Sequence, residues 1–238
     1  MTFELSTDDL AARDRARSFA SDRVRPQAGD IDRTAVVPQE LTAAATALVT
    51  DAGSALARAI VIEELATASG AVALNALPNG RGKDLGLPGL RGASLPTDTP
   101  GAQLSLAAVA LGLGQAAINH ALADLRQAQV GEGGTTEKPH WIVADAATDL
   151  EAARLLTRSA AQVMDSRQGG KASIAIARLM ASSAARTAVD VAVRIAGPQG
   201  YRDTSLLERL SRDVQTIGLL LGSEDDQRAR AAEELLPG

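Results

Sequence analysis

The sequence predicts an all-α chain folded as an antiparallel helical bundle, on three observations. About one residue in five is alanine, the best intrinsic helix former. Aromatic residues make up 2% of the chain, too few for the aromatic and β-branched surfaces on which sheets rely. Apolar residues also recur at helical spacing in long segments that end in glycine or proline.

Taken in order, Ser6, Thr7, Asp8 and Asp9 start a first helix with capping side chains and an acidic first turn. Ala12, Ala16, Phe19, Ala20 and Val24 share one face of it, and Pro26 is expected to end it. A second helix follows Pro38 and runs to Thr50. A third covers Gly53–Ser69 on the apolar face of Leu56, Ile60 and Ile62, and a short fourth covers Val72–Leu77. Pro78, Pro88, Pro96 and Pro100, with glycines at 80, 82, 86, 89 and 92, forbid regular structure over 78–101. This loop is the expected boundary between an N-terminal helical region, 1–77, and a C-terminal helical bundle, 102–238. The bundle reads as Ala102–Gln129, His140–Ser166, Ala172–Ala196, Leu206–Leu221 and Glu224–Leu236, each break holding glycine where a left-handed cap is easiest.

Composition narrows the chemistry. Twenty-four basic against 29 acidic residues give a net charge of −5, which disfavours nucleic acid as a partner. The absence of cysteine excludes disulfides, thiol nucleophiles and iron–sulfur clusters. Two histidines, His120 and His140, cannot build a multi-histidine metal site, so no metal is expected. The charged first helix is no signal peptide, and the nearly apolar run Leu104–Ile118 falls short of the ~20 residues that span a bilayer. A cytoplasmic protein without membrane contact is the expectation. Gly112-Leu113-Gly114 lacks the strand and third glycine of a dinucleotide loop and reads as close helix packing. Gly80-Arg81-Gly82-Lys83-Asp84 likewise lacks the Ser or Thr of a P-loop.

One stretch carries more. Gly197-Pro198-Gln199-Gly200-Tyr201, followed by Glu208-Arg209-Leu210-Ser211-Arg212-Asp213, resembles the "GGxGY…ERxxRD" signature of the acyl-CoA dehydrogenase family. Ala144-Asp145 to Glu151-Ala152-Ala153-Arg154-Leu155-Leu156 is similar to the family's "lAdm…eaaRll" helix, and Ile62-Glu63-Glu64-Leu65-Ala66 to its "EEla" helix. The resemblance implies the N- and C-terminal helical domains of that family, with the 78–101 loop in place of its middle β-barrel. It also implies flavin chemistry, in which a glutamate removes an α-proton while hydride leaves the β-carbon for FAD. By the same resemblance, Gln129, Gly131, Gly197, Gly200 and Ser223 occupy cofactor-binding positions, and Glu63, Gln103 and Tyr201 substrate-binding ones.

The departures bear on function. The family's usual base precedes Gly222, where this chain has Leu221; its alternative base lies at Ala102-Gln103. Neither place holds a carboxylate, so no catalytic residue is nominated. Pro198 removes a backbone donor from the paired-glycine turn, the "RxQFG" arginine is replaced by Gln127, and an aspartate replaces the glutamine of "EGTxQ". FAD is therefore expected only if residual or shared with a partner subunit. Three readings follow. The first is a subunit without autonomous FAD-dependent desaturation that pairs with itself or with a full-length acyl-CoA dehydrogenase in lipid or related acyl-thioester metabolism. The second is a stand-alone non-redox enzyme or binder of a lipid-like or polyketide-like acyl thioester. The third is a residual FAD-dependent dehydrogenase with an unidentified base.

Overall fold

The computed structural model describes residues 4–77, 85–130, 140–166 and 170–236. Among them helices are the only regular elements, and no strand occurs. They are α1 (Thr7–Phe19), α2 (Ala28–Thr34), α3 (Gln39–Asp51), α4 (Ala55–Ala66), α5 (Gly70–Asn75), α6 (Pro100–Val130), α7 (His140–Asp165), α8 (Lys171–Ala196), α9 (Leu206–Leu219) and α10 (Glu224–Leu235).

The first helix starts as its sequence predicts. The Ser6 hydroxyl accepts the Asp9 N–H while the Asp9 carboxylate accepts the Ser6 N–H, both at 3.1 Å. Pro26 does not end it. After Phe19 the backbone widens into a π-turn over Ala20–Val24, then tightens to a 3₁₀ turn over Arg25–Gln27 and continues as α2. Pro26 thus sits in the first turn of the tightened segment, where its missing N–H costs no helical hydrogen bond. The wound segment stops at Ala35, in the left-handed conformation with φ 56°.

α4 is buried on nearly every side, from Ala55 and Leu56 through Ile60, Val61 and Ile62 to Leu65 and Ala66. It lies between α1 and the long helices α6 and α7. Its N-terminus is closed twice: Ser54 accepts the Ala57 N–H, and Asp165, from the far end of α7, accepts the N–H groups of Ala55 (2.7 Å) and Leu56 (3.2 Å). α6 packs on α4, α7, α8 and α9. It is longer than its sequence predicts, and over Pro100–Gln127 it is long and apolar enough to cross a membrane, correcting the shorter span read from the sequence. Within its most apolar stretch, 83% is buried inside the protein, as in the core helix of a bundle.

The glycines of α6 have the packing role expected of them. A Cβ on Gly112 would overlap the Glu63 carbonyl oxygen and stand 2.6 Å from the Ala66 Cβ of α4. One on Gly114 would meet the Leu150 Cδ1 at 2.8 Å and the Ala185 Cα at 3.1 Å, on α7 and α8. Two residues apart, they face opposite walls and let three helices close on one axis.

Residues 85–99 form no regular element, yet they are tied down. Asn75 clasps them, donating to the Gly92 carbonyl and accepting from the Ser94 N–H, both at 2.8 Å. Gly89 passes so close to α9 that a Cβ would overlap the Arg212 carbonyl, and Leu90 is buried with its N–H 2.5 Å from the Asp213 carboxylate. Burial pushes the Asp213 carboxyl up to about 6, against the Leu90 N–H and the nearby Arg209 cation, which favour its charged form. One apolar cluster runs from Ala12 on α1 through α4, α6 and Leu90 to Leu220 beyond α9.

Two outcomes follow. Gly112→Ala should destabilise the fold by about 2 kcal/mol in urea unfolding, because overlap with the Glu63 carbonyl outweighs alanine's helix propensity of about 1 kcal/mol. The raised folded pKa of Asp213 means that the unfolded chain ionises first, so this group's contribution to stability falls as pH rises from about 4 to about 6. Asp213→Asn keeps an acceptor for the Leu90 N–H. The stability difference between wild type and this variant should therefore shift by on the order of 2 kcal/mol across that window, read from urea midpoints at matched ionic strength.

Candidate functional site

The site's geometry starts at the end of α9. The helix stops two residues short of its expected end because Leu221 and Gly222 turn left-handed, with φ of 53° and 110°. The next turn opens α10: the Ser223 hydroxyl accepts the Asp226 N–H at 3.3 Å and donates to its carboxylate at 2.8 Å. Such a reversal exposes the last carbonyls of α9, which need donors. Arg178 supplies them from α8. Its Nη2 donates to the Leu220 carbonyl and, at 3.1 Å, to that of Gly222; its Nη1 donates to the Leu221 carbonyl at 3.2 Å and to the Gln103 Oε1.

Arg178 is 1% exposed and, among the described residues, has no carboxylate in salt-bridge contact. Burial pulls its guanidinium down to about 10, aided by the nearby Arg230 cation and opposed by Asp98 and Asp226. It stays charged at neutral pH, held by carbonyl dipoles at a helix C-terminus, where a cation is favoured. Gln103 completes the junction. Its amide nitrogen donates to the Leu221 carbonyl (2.9 Å) and to Asp98 (2.7 Å). The segments carrying Leu221 and Ala102-Gln103, 118 residues apart for the Gln103–Leu221 bond, thus meet at one point. Neither residue 221 nor residues 102 and 103 carry a carboxylate; Asp98, the acceptor of the Gln103 amide, is the carboxylate that reaches the junction.

Beside the junction lies a cavity of about 380 Å³ between the 98–103 segment, α8 and α10, lined among others by Thr99, Gln103, Lys171, Gln227 and Arg230. Gln227 is 2% exposed, and among the described residues its amide nitrogen has no hydrogen-bond partner. Arg230 is paired with Asp98 at 3.2 Å.

Apart from Ser223, which follows Gly222 in the junction turn, the other predicted site residues lie elsewhere. Glu63 forms a separate cluster, its carboxylate 2.7 Å from the Arg154 Nε, while Arg154 also reaches Glu151 and, at 2.7 Å, the Gln115 side-chain Oε1. Burial pushes the Glu63 carboxyl up from its ordinary range despite the Arg154 cation. From Gln103 to Gln115, α6 rises roughly 18 Å, so Glu63 and Gln103 do not share a pocket. Tyr201 stands 72% exposed beyond the C-terminal end of α8. Gly197 caps that end with φ 64°, and Gly200 is buried against Leu207 and Val193. Gln129 closes α6, and Gly131 and the 78–84 stretch with its glycine-lysine run lie outside the described residues.

Ser223 and Gly197 stand far apart along the bundle. Ser223 follows the Gly222 carbonyl held by Arg178, and from Arg178 to Gly197 α8 rises roughly 28 Å. The Ser223 hydroxyl is committed to its helix cap, with Glu224, Asp225 and Asp226 in the turn beyond. Among the described residues, no group of three or more His, Asp or Glu could hold a metal.

Comparison with known proteins places the helical arrangement. A family model described as acyl-CoA dehydrogenase, C-terminal domain, matches residues 101–236. The chain belongs to the acyl-CoA dehydrogenase family. A probable acyl-CoA dehydrogenase of Bacillus subtilis is 31% identical over 138 residues, covering 57% of this chain and 36% of that protein. A cyclohex-1-ene-1-carbonyl-CoA dehydrogenase of Geobacter metallireducens is 33% identical over 135 residues, 55% of this chain and 35% of the relative. The matches thus span about a third of these curated relatives. The fold superposes on butyryl-CoA dehydrogenase from Megasphaera elsdenii with a TM-score of 0.87 at 17% identity, covering 99% of this chain and 100% of that one. This acyl-CoA dehydrogenase homologue is all-α in its described residues, as its sequence predicts.

Arg178 is the residue that sequence reasoning missed. Its signal was present: it breaks the small apolar face of α8 formed by Ile174, Ala177, Ala181 and Ala185. Replacing it with leucine should cost about 3 kcal/mol, by stranding the carbonyls of 220–222 and the Gln103 amide. Chemical denaturation gives the loss, and amide hydrogen exchange should show it concentrated at the α9–α10 turn.

Proposed function

We propose that this acyl-CoA dehydrogenase homologue is a non-desaturating helical subunit that assembles with a full-length acyl-CoA dehydrogenase in cytoplasmic lipid or related acyl-thioester metabolism. The observation that carries the reading is the junction of Gln103, Arg178 and Leu221. Family resemblance assigns a proton-abstracting glutamate to one of two places, and here both converge on a buried guanidinium with no carboxylate of their own. A positioned general base contributes typically 10²–10⁴-fold, so desaturation by this chain alone would be crippled even with flavin supplied. The dispersed cofactor positions argue in the same direction. Acyl-CoA dehydrogenases are generally oligomeric, and Trp141 on α7, Met180 on α8 and Leu219 on α9 stand exposed, apolar surface that subunit packing would cover.

A second reading rests on the cavity beside the junction. The buried, unpartnered Gln227 amide nitrogen is a donor awaiting an acceptor, which favours a non-redox binder of an acyl thioester through a carbonyl oxygen.

The test is co-expression with a flavin-bearing acyl-CoA dehydrogenase, followed by light scattering and visible absorbance of each species. The subunit reading expects a heteromer of fixed stoichiometry, and an isolated chain that emerges colourless after incubation with FAD and desalting. Near-stoichiometric flavin on the isolated chain, bleached by an acyl-CoA, would overturn it. A homo-oligomer that refuses the partner and gains thermal stability from an acyl-CoA without flavin would establish the second reading instead.

A further inference from the structure

On the far side of α4 from the junction, a cavity of about 490 Å³ opens between α1, the turn that follows it, α4, α6 and α7. The size is that of a small-molecule site. Its lining is rich in arginine: Arg13, Arg17 and Arg25 come from the N-terminal segment, and Arg154 and Arg158 from α7. Three of these guanidiniums have carboxylate partners. Arg17 holds Glu64 with two nitrogens, at 2.7 and 3.2 Å. Arg154 holds Glu63 and Glu151, and Arg13 holds Asp14 at 2.9 Å.

Among the described residues Arg25 and Arg158 have no carboxylate in salt-bridge contact and no side-chain hydrogen bond, and the Arg158 Nε is buried without a partner. The Arg158 charge is nonetheless near enough to Glu63 to favour its ionised form, and Glu63, Glu64 and Glu151 line the cavity too. A buried donor left unpaired is costly. The two free guanidiniums stand on different walls of one cavity, one from the turn after α1 and one from α7. Asn119 and Thr67 add polar groups to the lining.

We propose that this cleft binds a small molecule through a dianionic phosphoryl group, received between Arg25 and Arg158. Guanidinium forks match the oxygens of phosphate in bidentate fashion, and a phosphomonoester carries about −1.5 to −2 at neutral pH, enough to face two cations at once. Arg17 and Arg154, locked by their glutamates, would hold the walls in place and not spend donors on the ligand. The cavity exceeds what a lone phosphate fills, so an organic body would occupy the remainder. The proposal is independent of the subunit reading, since the junction plays no part in it.

Calorimetric titration of the full chain at fixed ionic strength tests it, with inorganic phosphate, phenyl phosphate, succinate and chloride as probes. One saturable site per chain is expected for both phosphates. Equal affinity would assign the site to free phosphate, and tighter binding of phenyl phosphate to a phosphate ester. Arg158→Gln and Arg25→Gln should each weaken binding at least tenfold, whereas Arg202→Gln, exposed beyond α8, should leave it unchanged. Arg25 is exposed, so its variant decides the matter even if Arg158→Gln fails to fold. Absence of saturable binding, tighter binding of succinate than of either phosphate, or equal affinity in the Arg25 variant would overturn the proposal.

Discussion

A guanidinium buried at the centre of the bundle sets the terms for the rest of the structure. Arg178 has left water with no carboxylate in salt-bridge contact among the described residues, a state that costs several kcal/mol unless its donors are met. Its partners are the carbonyls of Leu220, Leu221 and Gly222, which α9 can present only by stopping early and turning left-handed. The arrangement is reciprocal: the helix end would be a liability without the cation, and the cation without the helix end. Gln103 then has a single useful orientation, with its oxygen toward Arg178 and its nitrogen toward Leu221 and Asp98. The first turn of α6, the end of α9 and the start of α10 are thereby set by one side chain of α8.

The family signature on α9 does comparable work at the other end of that helix. Arg212 reaches Asp32 on α2, Glu208 one turn back and the Pro88 carbonyl, and its hydrogen bonds to Glu208 and Asp32 hold its guanidinium well above the ordinary arginine range. Asp213 holds Leu90. Residues that resemble a dehydrogenase motif thus serve to fasten the N-terminal helices and the 85–99 segment to the bundle. The core between them is largely alanine, which buries little apolar area per residue. Long helices brought close by Gly112 and Gly114, with a few fully paired polar ties, supply what large side chains do in other cores.

Much of this was legible in the sequence, because helix periodicity and glycine punctuation are local signals. α8 begins one residue from its expected start, and the Gly112–Gly114 pair packs as read. Pro26 misled because its effect depends on the preceding turn: a π-widening over Ala20–Val24 lets the chain pass a residue that would break a regular helix. The end of α9 was misplaced for a similar reason, since no local pattern shows that Leu221 will be left-handed. Its conformation is imposed by Arg178, 43 residues away in sequence. Of the proposed site residues, Gln103 was placed by family resemblance at a point where the structure does bring two chain segments together. Glu63 and Tyr201 were grouped with it by the same resemblance, but the geometry of α6 and α8 keeps them apart.

The same geometry determines what a carboxylate at either of the family's two base positions would meet. A carboxylate introduced at Leu221 or at Ala102 would lie beside a permanent cation in a medium of low effective dielectric, where an opposite charge within about 4–6 Å lowers a carboxyl pKa by 1–3 units. Such a group would be ionised but stabilised, a poorer proton acceptor than a carboxylate raised toward neutrality by burial alone. It would also compete with the carbonyls of 220–222 for the donors on which the α9 terminus depends. A base at residue 221 or 102 would therefore have to share Arg178 with the carbonyls of 220–222, and removing Arg178 would strand the helix end that positions residue 221.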